Sequence, residues 1–282
     1  MEIKKVGVVG CGQMGGGITQ VCAQSGYPVT VSEVNEALLK KGLSSIDAAL
    51  TRSVQKEKIS QQDKDTAIAR IKGTTNMGEF ADCDMVIEAA IENIDLKKRI
   101  FGELDKVCHR NAILATNTSC LSIIDMAVAT KRPDKVLGLH FFNPVPVMKL
   151  LEIVRTVATS EETLETGKNF GRSVGKTIVL AQDAPGFIVN RLMVPQILNA
   201  IRMLESGVAT REDIDTSLTL GLNHPMGPLA LADLVGLDTL LFIANGIYDE
   251  FRDTQYAAPT LLKKMVTAGW LGRKTGKGFY NY

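Results

Sequence analysis

The chain has 282 residues, 45% of them apolar and 22% charged, enough for two domains that each bury a core. Lysine and arginine number 32 against 31 aspartates and glutamates, so the net charge of +1 argues against nucleic acid as the main partner. No run of about 18 apolar residues marks a membrane span.

Lys4 to Gly10 predicts a short buried strand, and it runs directly into Gly10-Cys11-Gly12-Gln13-Met14-Gly15. This is a GxGxxG between a strand and a helix whose apolar side carries Ile18, Val21, Cys22 and Ala23. In that setting Gly10 permits the tight turn and Gly12 lets the backbone approach a pyrophosphate. Gly15 lets the helix pack on its strand while the helix N-terminus faces the anion. Pro28 to Ser32 reads as a second strand, and Glu33 at its end stands eighteen positions beyond Gly15. An acid there accepts from both ribose hydroxyls and repels a 2′-phosphate, which favours NAD over NADP. Glu36 lies close by, so an ordinary surface acid is the competing reading of Glu33.

Glu36 to Ile71 has a charged helical pattern, broken near Ile59-Ser60, where Ser60 resembles an N-cap with Asp63 three residues on. Arg52 and Lys56 sit at i and i+4 on one face. From pattern alone this is a solvated helix face, and a pair of cations for a phosphorylated substrate is the alternative. Asp84 to Glu88 predicts a third strand. Glu92 and Lys97 follow its carboxyl end, where ligands of doubly wound sheets lie. A helix from Leu96 to Val107 then leads to a strand from Ala112 to Thr116. Asn117-Thr118-Ser119-Cys120 closes that strand. Ser119 has neither His nor acid beside it in sequence and reads as a hydrogen-bonding group rather than a nucleophile, although the same residues could cap the helix near Leu121.

Val136 to Arg155 predicts two neighbouring strands joined by the turn Asn143-Pro144-Val145-Pro146. The pairing can bring His140 and Glu152 together across twelve positions of sequence. A carboxylate on one ring nitrogen sets the tautomer and leaves the other to move a proton. His109, at a helix end, and His224, in an Asn-His-Pro turn, read as structural. A helix from Glu161 to Val174 and a strand from Thr177 to Leu180 end the alternation at Asp183-Ala184-Pro185-Gly186. The expected architecture is therefore a Rossmann-like doubly wound α/β domain over 1–183 and a smaller all-helical domain over 184–282. In the second domain Phe187 to Glu205 predicts a long helix kinked at Pro195, with Asn190 one turn into it. Two further apolar helices and a tail from Gly269 to Tyr282 follow. A helical domain this small is expected to bury surface against a second copy, giving a homodimer. Five cysteines without a CxxC are expected to be reduced, buried thiols in a cytoplasmic protein, and the opening MEIKKVGVVG reads as a strand rather than a targeting segment.

Together GCGQMGGGI, EAAIEN, NTSCLSI, GLHFFNPVPVMKLLEIV, DAPGFIVNR, NHPMGPLALADLVGLD and GWLGRKTGKGFY resemble the L-3-hydroxyacyl-CoA dehydrogenases over essentially the full length. Within them the chain is most similar to the short bacterial 3-hydroxybutyryl-CoA dehydrogenases of fatty-acid and butyrate metabolism. The resemblance implies a catalytic pair at His140 and Glu152, with Ser119 and Asn190 positioning the substrate. It implies NAD contacts at Gly10 to Gly15, Glu33, Glu92, Lys97, Ser119, Asn143 and Lys274. It also turns Arg52 and Lys56 into cations for the phosphates of an acyl-CoA. Two positions depart from the family's usual pattern: Glu33 stands where Asp is common, and Cys120 where a second Ser is common. The β-hydroxyacid dehydrogenases, which use a lysine, are a poorer match, because the Gly186–Glu205 helix offers no obvious one. An NAD-binding structural or sensing protein without turnover is the non-enzymatic alternative.

Overall fold

The computed structural model describes residues 1–282, which divide into two compact units, Met1–Ala184 and Pro185–Tyr282. In the first unit the strands are β1 (Val6–Val9), β2 (Val29–Ser32), β3 (Ile71–Thr74), β4 (Met85–Glu88), β5 (Ile113–Thr116), β6 (Val136–Phe141), β7 (Leu150–Arg155) and β8 (Thr177–Gln182). They form one sheet in the order β3-β2-β1-β4-β5-β6-β7-β8, parallel throughout except where β6 meets β7. The helices of this unit are α1 (Gln13–Gln24), α2 (Glu36–Gln55), α3 (Gln61–Ala69), α4 (Ile94–Val107), α5 (Ile123–Ala127) and α6 (Glu161–Ser173).

Parallel strands covered on both faces read as unbroken apolar runs, and β1, β2, β4, β5 and β6 are buried at every position. One strand escaped the sequence pattern. The helical pattern was expected to run as far as Ile71, with Lys72-Gly73-Thr74 unassigned, but Ile71-Lys72-Gly73-Thr74 pairs with β2 in parallel at the sheet edge. Only Thr74 of the four is buried, so the strand carries too little apolar signal to announce itself. The break before it does follow the residues: Ser60 and Asp63 form a reciprocal capping box that starts α3. Arg52 lies in the last turn of α2, and Lys56 is its C-cap rather than a helical residue.

The second unit is helical: α7 (Val189–Glu205), α8 (Arg211–Gly221), α9 (Pro228–Val235), α10 (Leu237–Phe251) and α11 (Thr260–Thr267). Four helices follow α7 where two were expected. Pro195 is accommodated inside α7. Val194, Ile197, Leu198 and Ile201 of α7 are buried with Leu229, Leu240, Ile243 and Leu262. Two buried aspartates bind backbone: Asp215 accepts from Leu229 N and Ala230 N at the start of α9, and Asp233 accepts from Phe279 N and Tyr280 N of the tail.

Candidate active site

His140 and Glu152 face each other directly in the antiparallel β6–β7 register. Directly opposed side chains share one face of a sheet, so two strands suffice to make the pair. His140 Nδ1 lies 2.6 Å from Glu152 Oε2, with the ring 4% exposed and the carboxylate fully buried. A carboxylate only accepts, so the neutral ring carries its proton on Nδ1 and presents Nε2 as the acceptor. Ser119 Oγ stands 3.2 Å from that Nε2. The Phe142 ring packs on the imidazole, with centroids 4.6 Å apart.

Ser119 is held from behind by Glu92. Glu92 Oε1 accepts from Ser119 N at 2.7 Å, and both of its oxygens accept from Thr118 Oγ1 at 3.0 Å. Lys97 Nζ reaches Glu92 Oε2 at 3.4 Å, but its shorter bond, 2.6 Å, is to Glu88 Oε1. Lys97 is only 1% exposed, so the structure makes it a buried anchor of the β4–α4 and β5 ends. Glu88, which the sequence reading passed over, accepts also from Ala90 N and Thr116 Oγ1, both at 2.7 Å. Its one sequence signal is position: it closes β4 opposite Thr116, the last residue of β5. Asn117 Oδ1 accepts from Phe141 N and so joins the end of β5 to the end of β6.

The glycine-rich loop fits a dinucleotide. Gly10 has φ +94°, and a Cβ on Gly15 would lie 1.9 Å from Gly10 O, so strand and helix meet at a distance only glycine allows. A Cβ on Gly12 would meet nothing within 4 Å, which leaves the backbone open to a ligand there. Gly12 is also the N-cap of α1. No side chain caps this helix and no acid stands in its first turn, whereas α2, α3, α4 and α6 are capped by Asn35, Ser60, Asn93 and Ser160. An uncapped N-terminus offers its N–H groups and its dipole to a phosphate.

Within the loop the side chains differ in direction. Gln13 is exposed, Met14 packs against the core, and Cys11 is buried on α2 at Gly42. Cys11 is 3% exposed, while Met14 is only partly covered. The Cys11 N–H is itself taken, at 2.8 Å, by Glu33 Oε1. Burial, with Glu33 adding to it, pushes the Cys11 thiol up to about 11. Cys120 is buried as well; desolvation and then Glu92 raise its thiol to about 12, so it stays protonated.

A groove of about 730 Å³ begins at Gly12, Gln13 and Glu33. Arg52, Lys56 and Lys58 also line it, as does the turn from Asn143 to Val147. A nucleotide-sized ligand with phosphates suits a concave site that has an open helix N-terminus and a group of cations.

A family model described as 3-hydroxyacyl-CoA dehydrogenase, NAD binding domain, matches residues 5–184, and one described as 3-hydroxyacyl-CoA dehydrogenase, C-terminal domain, matches residues 186–282. The chain belongs to the 3-hydroxyacyl-CoA dehydrogenase family. It is similar to the 3-hydroxybutyryl-CoA dehydrogenase of Mycobacterium tuberculosis, with 49% identity over 282 residues and 99% of each chain covered. The 3-hydroxybutyryl-CoA dehydrogenase of Clostridioides difficile is 46% identical over 278 residues, again with 99% of each covered. The crystal structure of (S)-3-hydroxybutyryl-CoA dehydrogenase from Ralstonia eutropha matches with a TM-score of 0.95 and 45% identity, covering 100% of this chain and 99% of that one.

The first unit is thus the NAD-binding domain of a 3-hydroxyacyl-CoA dehydrogenase. It holds together His140, Glu152, Ser119, Glu92 and Lys97 in one bonded array, with Glu33 and Asn143 on the groove. The two remaining candidates belong to the second unit. Asn190 is buried in the first turn of α7, 6% exposed. Lys274 is exposed, and its ammonium is engaged by both carboxylate oxygens of Asp238, so it does not stand as an unpaired cation.

Proposed function

We propose that the protein interconverts (S)-3-hydroxyacyl-CoA and 3-oxoacyl-CoA, with 3-hydroxybutyryl-CoA and acetoacetyl-CoA as the favoured pair. The observation that carries this reading is the 2.6 Å His140–Glu152 bond, which orients Nε2 toward Ser119. In the oxidative direction, Nε2 of neutral His140 takes the proton of the C3 hydroxyl. Glu152 keeps the ring in place and stabilises the imidazolium that forms. Bound NAD supplies the acceptor for the C3 hydride. In reverse the imidazolium returns its proton to the C3 oxygen.

Ser119 and Asn190 orient the substrate oxygens, and Arg52 and Lys56 meet the CoA phosphates. Glu33 receives the ribose hydroxyls of the cofactor, while the Gly10–Gly15 backbone receives its pyrophosphate. Asn143 and Glu92 complete the cofactor site on the first unit. Lys97 serves it through its bond to Glu92, and Lys274 is a further cofactor contact. The protein works as a homodimer, in which a second copy covers exposed leucines of the helical unit such as Leu192, Leu220 and Leu222.

The test is oxidation of NADH, and separately of NADPH, with acetoacetyl-CoA and with free acetoacetate. Turnover that needs both NADH and the thioester is expected, from a particle sedimenting at twice the chain mass of 30.5 kDa. Equal use of free acetoacetate would remove the CoA contacts of Arg52 and Lys56. Preference for NADPH would remove the role of Glu33. Tight NADH binding with no turnover of any acyl-CoA would leave a binding protein in place of an enzyme.

A further inference from the structure

The turn from Asn143 to Met148 has two duties. It joins the strand of His140 to the strand of Glu152, and it lines the groove together with Gly12 and Gln13. Its interior is tied at Pro144 O, which accepts from Val147 N at 2.9 Å and Met148 N at 3.0 Å. On one side it packs against α1: Val145 is 2% exposed, and a Cβ added at Gly17 would lie 2.9 Å from the Val145 Cβ. On another it is held by a lysine. Lys176 Nζ donates to Val145 O at 2.6 Å and to Met148 O at 2.7 Å.

Lys176 is an unusual choice for a packing residue. It is 9% exposed, and desolvation holds its ammonium below the usual lysine range. The charge is met by two carbonyl oxygens rather than by a carboxylate. Burying an ammonium in this way is costly, and a methionine would fill the same space without that cost. What only the ammonium supplies is a pair of charge-assisted hydrogen bonds to two carbonyls of a single turn.

We propose that Lys176 is a positioning residue for cofactor binding. It fixes the Asn143–Met148 turn so that Asn143 is set toward the groove before NAD arrives. This rests on the reading of Asn143 as a cofactor contact. Pre-setting a binding group lowers the ordering cost paid on association, so its loss appears in affinity more than in the chemical step. Lys176 also lines a second pocket of about 360 Å³, with Gln24, Ser25 and Val174, so a small amine can reach the position from solvent.

The experiment is titration of NADH by its fluorescence, which needs no substrate, on Lys176→Met, Lys176→Ala and Asn143→Ala. Both lysine variants are expected to bind NADH about tenfold more weakly. Their kcat at saturating NADH, measured with acetoacetyl-CoA, should stay within about threefold of the parent. Ethylammonium should restore NADH affinity to Lys176→Ala and not to Lys176→Met, whose side chain fills the space. Should Lys176→Met not fold, Lys176→Ala purified with and without ethylammonium carries the same comparison. Parent-like NADH affinity in the lysine variants beside weakened Asn143→Ala would overturn the proposal, and so would a Lys176→Ala defect that ethylammonium leaves untouched. Parent-like affinity in Asn143→Ala would instead overturn the underlying reading of the turn.

Discussion

His140 acts as an acid–base group in this proposal because Glu152 holds its other nitrogen. Replacing His140 with Ala should lower kcat by about 10² to 10⁴, the range for a positioned general acid–base group. Glu152→Gln keeps the shape and loses the charge that stabilises the imidazolium, so it should also lower kcat while the protein stays folded. Steady-state kinetics beside a thermal melt checks both; parent-like kcat in either variant would make the pair structural. Glu88 and Lys97 differ in kind. Each is fully or almost fully buried and paired, so Lys97→Met should cost stability, since removing one partner strands the other charge. The residue types of the candidate site were legible one by one from the chain. Their hydrogen-bond assignments were not. Lys97 belongs first to Glu88, Cys11 packs against Gly42 of α2, and the Glu33 carboxylate already holds the Cys11 amide, because each lies where strand ends converge in space.

The β1–α1 junction sets what one added methyl does. At Gly15 a Cβ would lie 1.9 Å from Gly10 O, whereas at Gly12 it would point into open space. Gly15→Ala should therefore lower both the melting temperature and the NADH affinity, with a stability loss of at least about 1–3 kcal/mol from overpacking. Gly12→Ala should leave stability within about 0.5 kcal/mol and weaken NADH binding alone. A melt and an NADH titration on the two variants separate the cases, and equal effects would mean that Gly12 does not border the pyrophosphate. Elements with strong local signals were readable in the sequence: β1, β4 and β5 as apolar runs, and α3 from its Ser60–Asp63 capping box. β3 was not, since an edge strand with one buried residue depends on the neighbour that pairs with it.

The five cysteines are all free and buried. Burial raises every thiol above its ordinary value of 9.0: Cys11 and Cys108 to about 11, and Cys22, Cys83 and Cys120 to about 12. The unfolded chain therefore releases these protons first as pH rises past 9, while the folded chain retains them. Stability should be constant in this respect below pH 9 and fall between pH 9 and the folded values. Urea unfolding at pH 8 and pH 10 checks the direction; a midpoint that rises at pH 10 would contradict it. At pH 8 a thiol reagent should modify the native protein slowly and all five sites after unfolding.

The sequence alone determined the fold class and the chemistry on offer. Strand–glycine–helix periodicity is local, and the types His, Glu, Ser and Asn survive in any reading of the chain. The tertiary structure decided the partners. Which nitrogen Glu152 takes depends on a register that pairs residues twelve apart. Which carboxylate holds Lys97, and that Lys176 reaches back to the turn between β6 and β7, depends on strand ends that only the folded sheet brings within hydrogen-bond distance. Local pattern encodes the torsions and the buried face. Hydrogen bonds between side chains far apart in sequence exist only after the sheet order has been set.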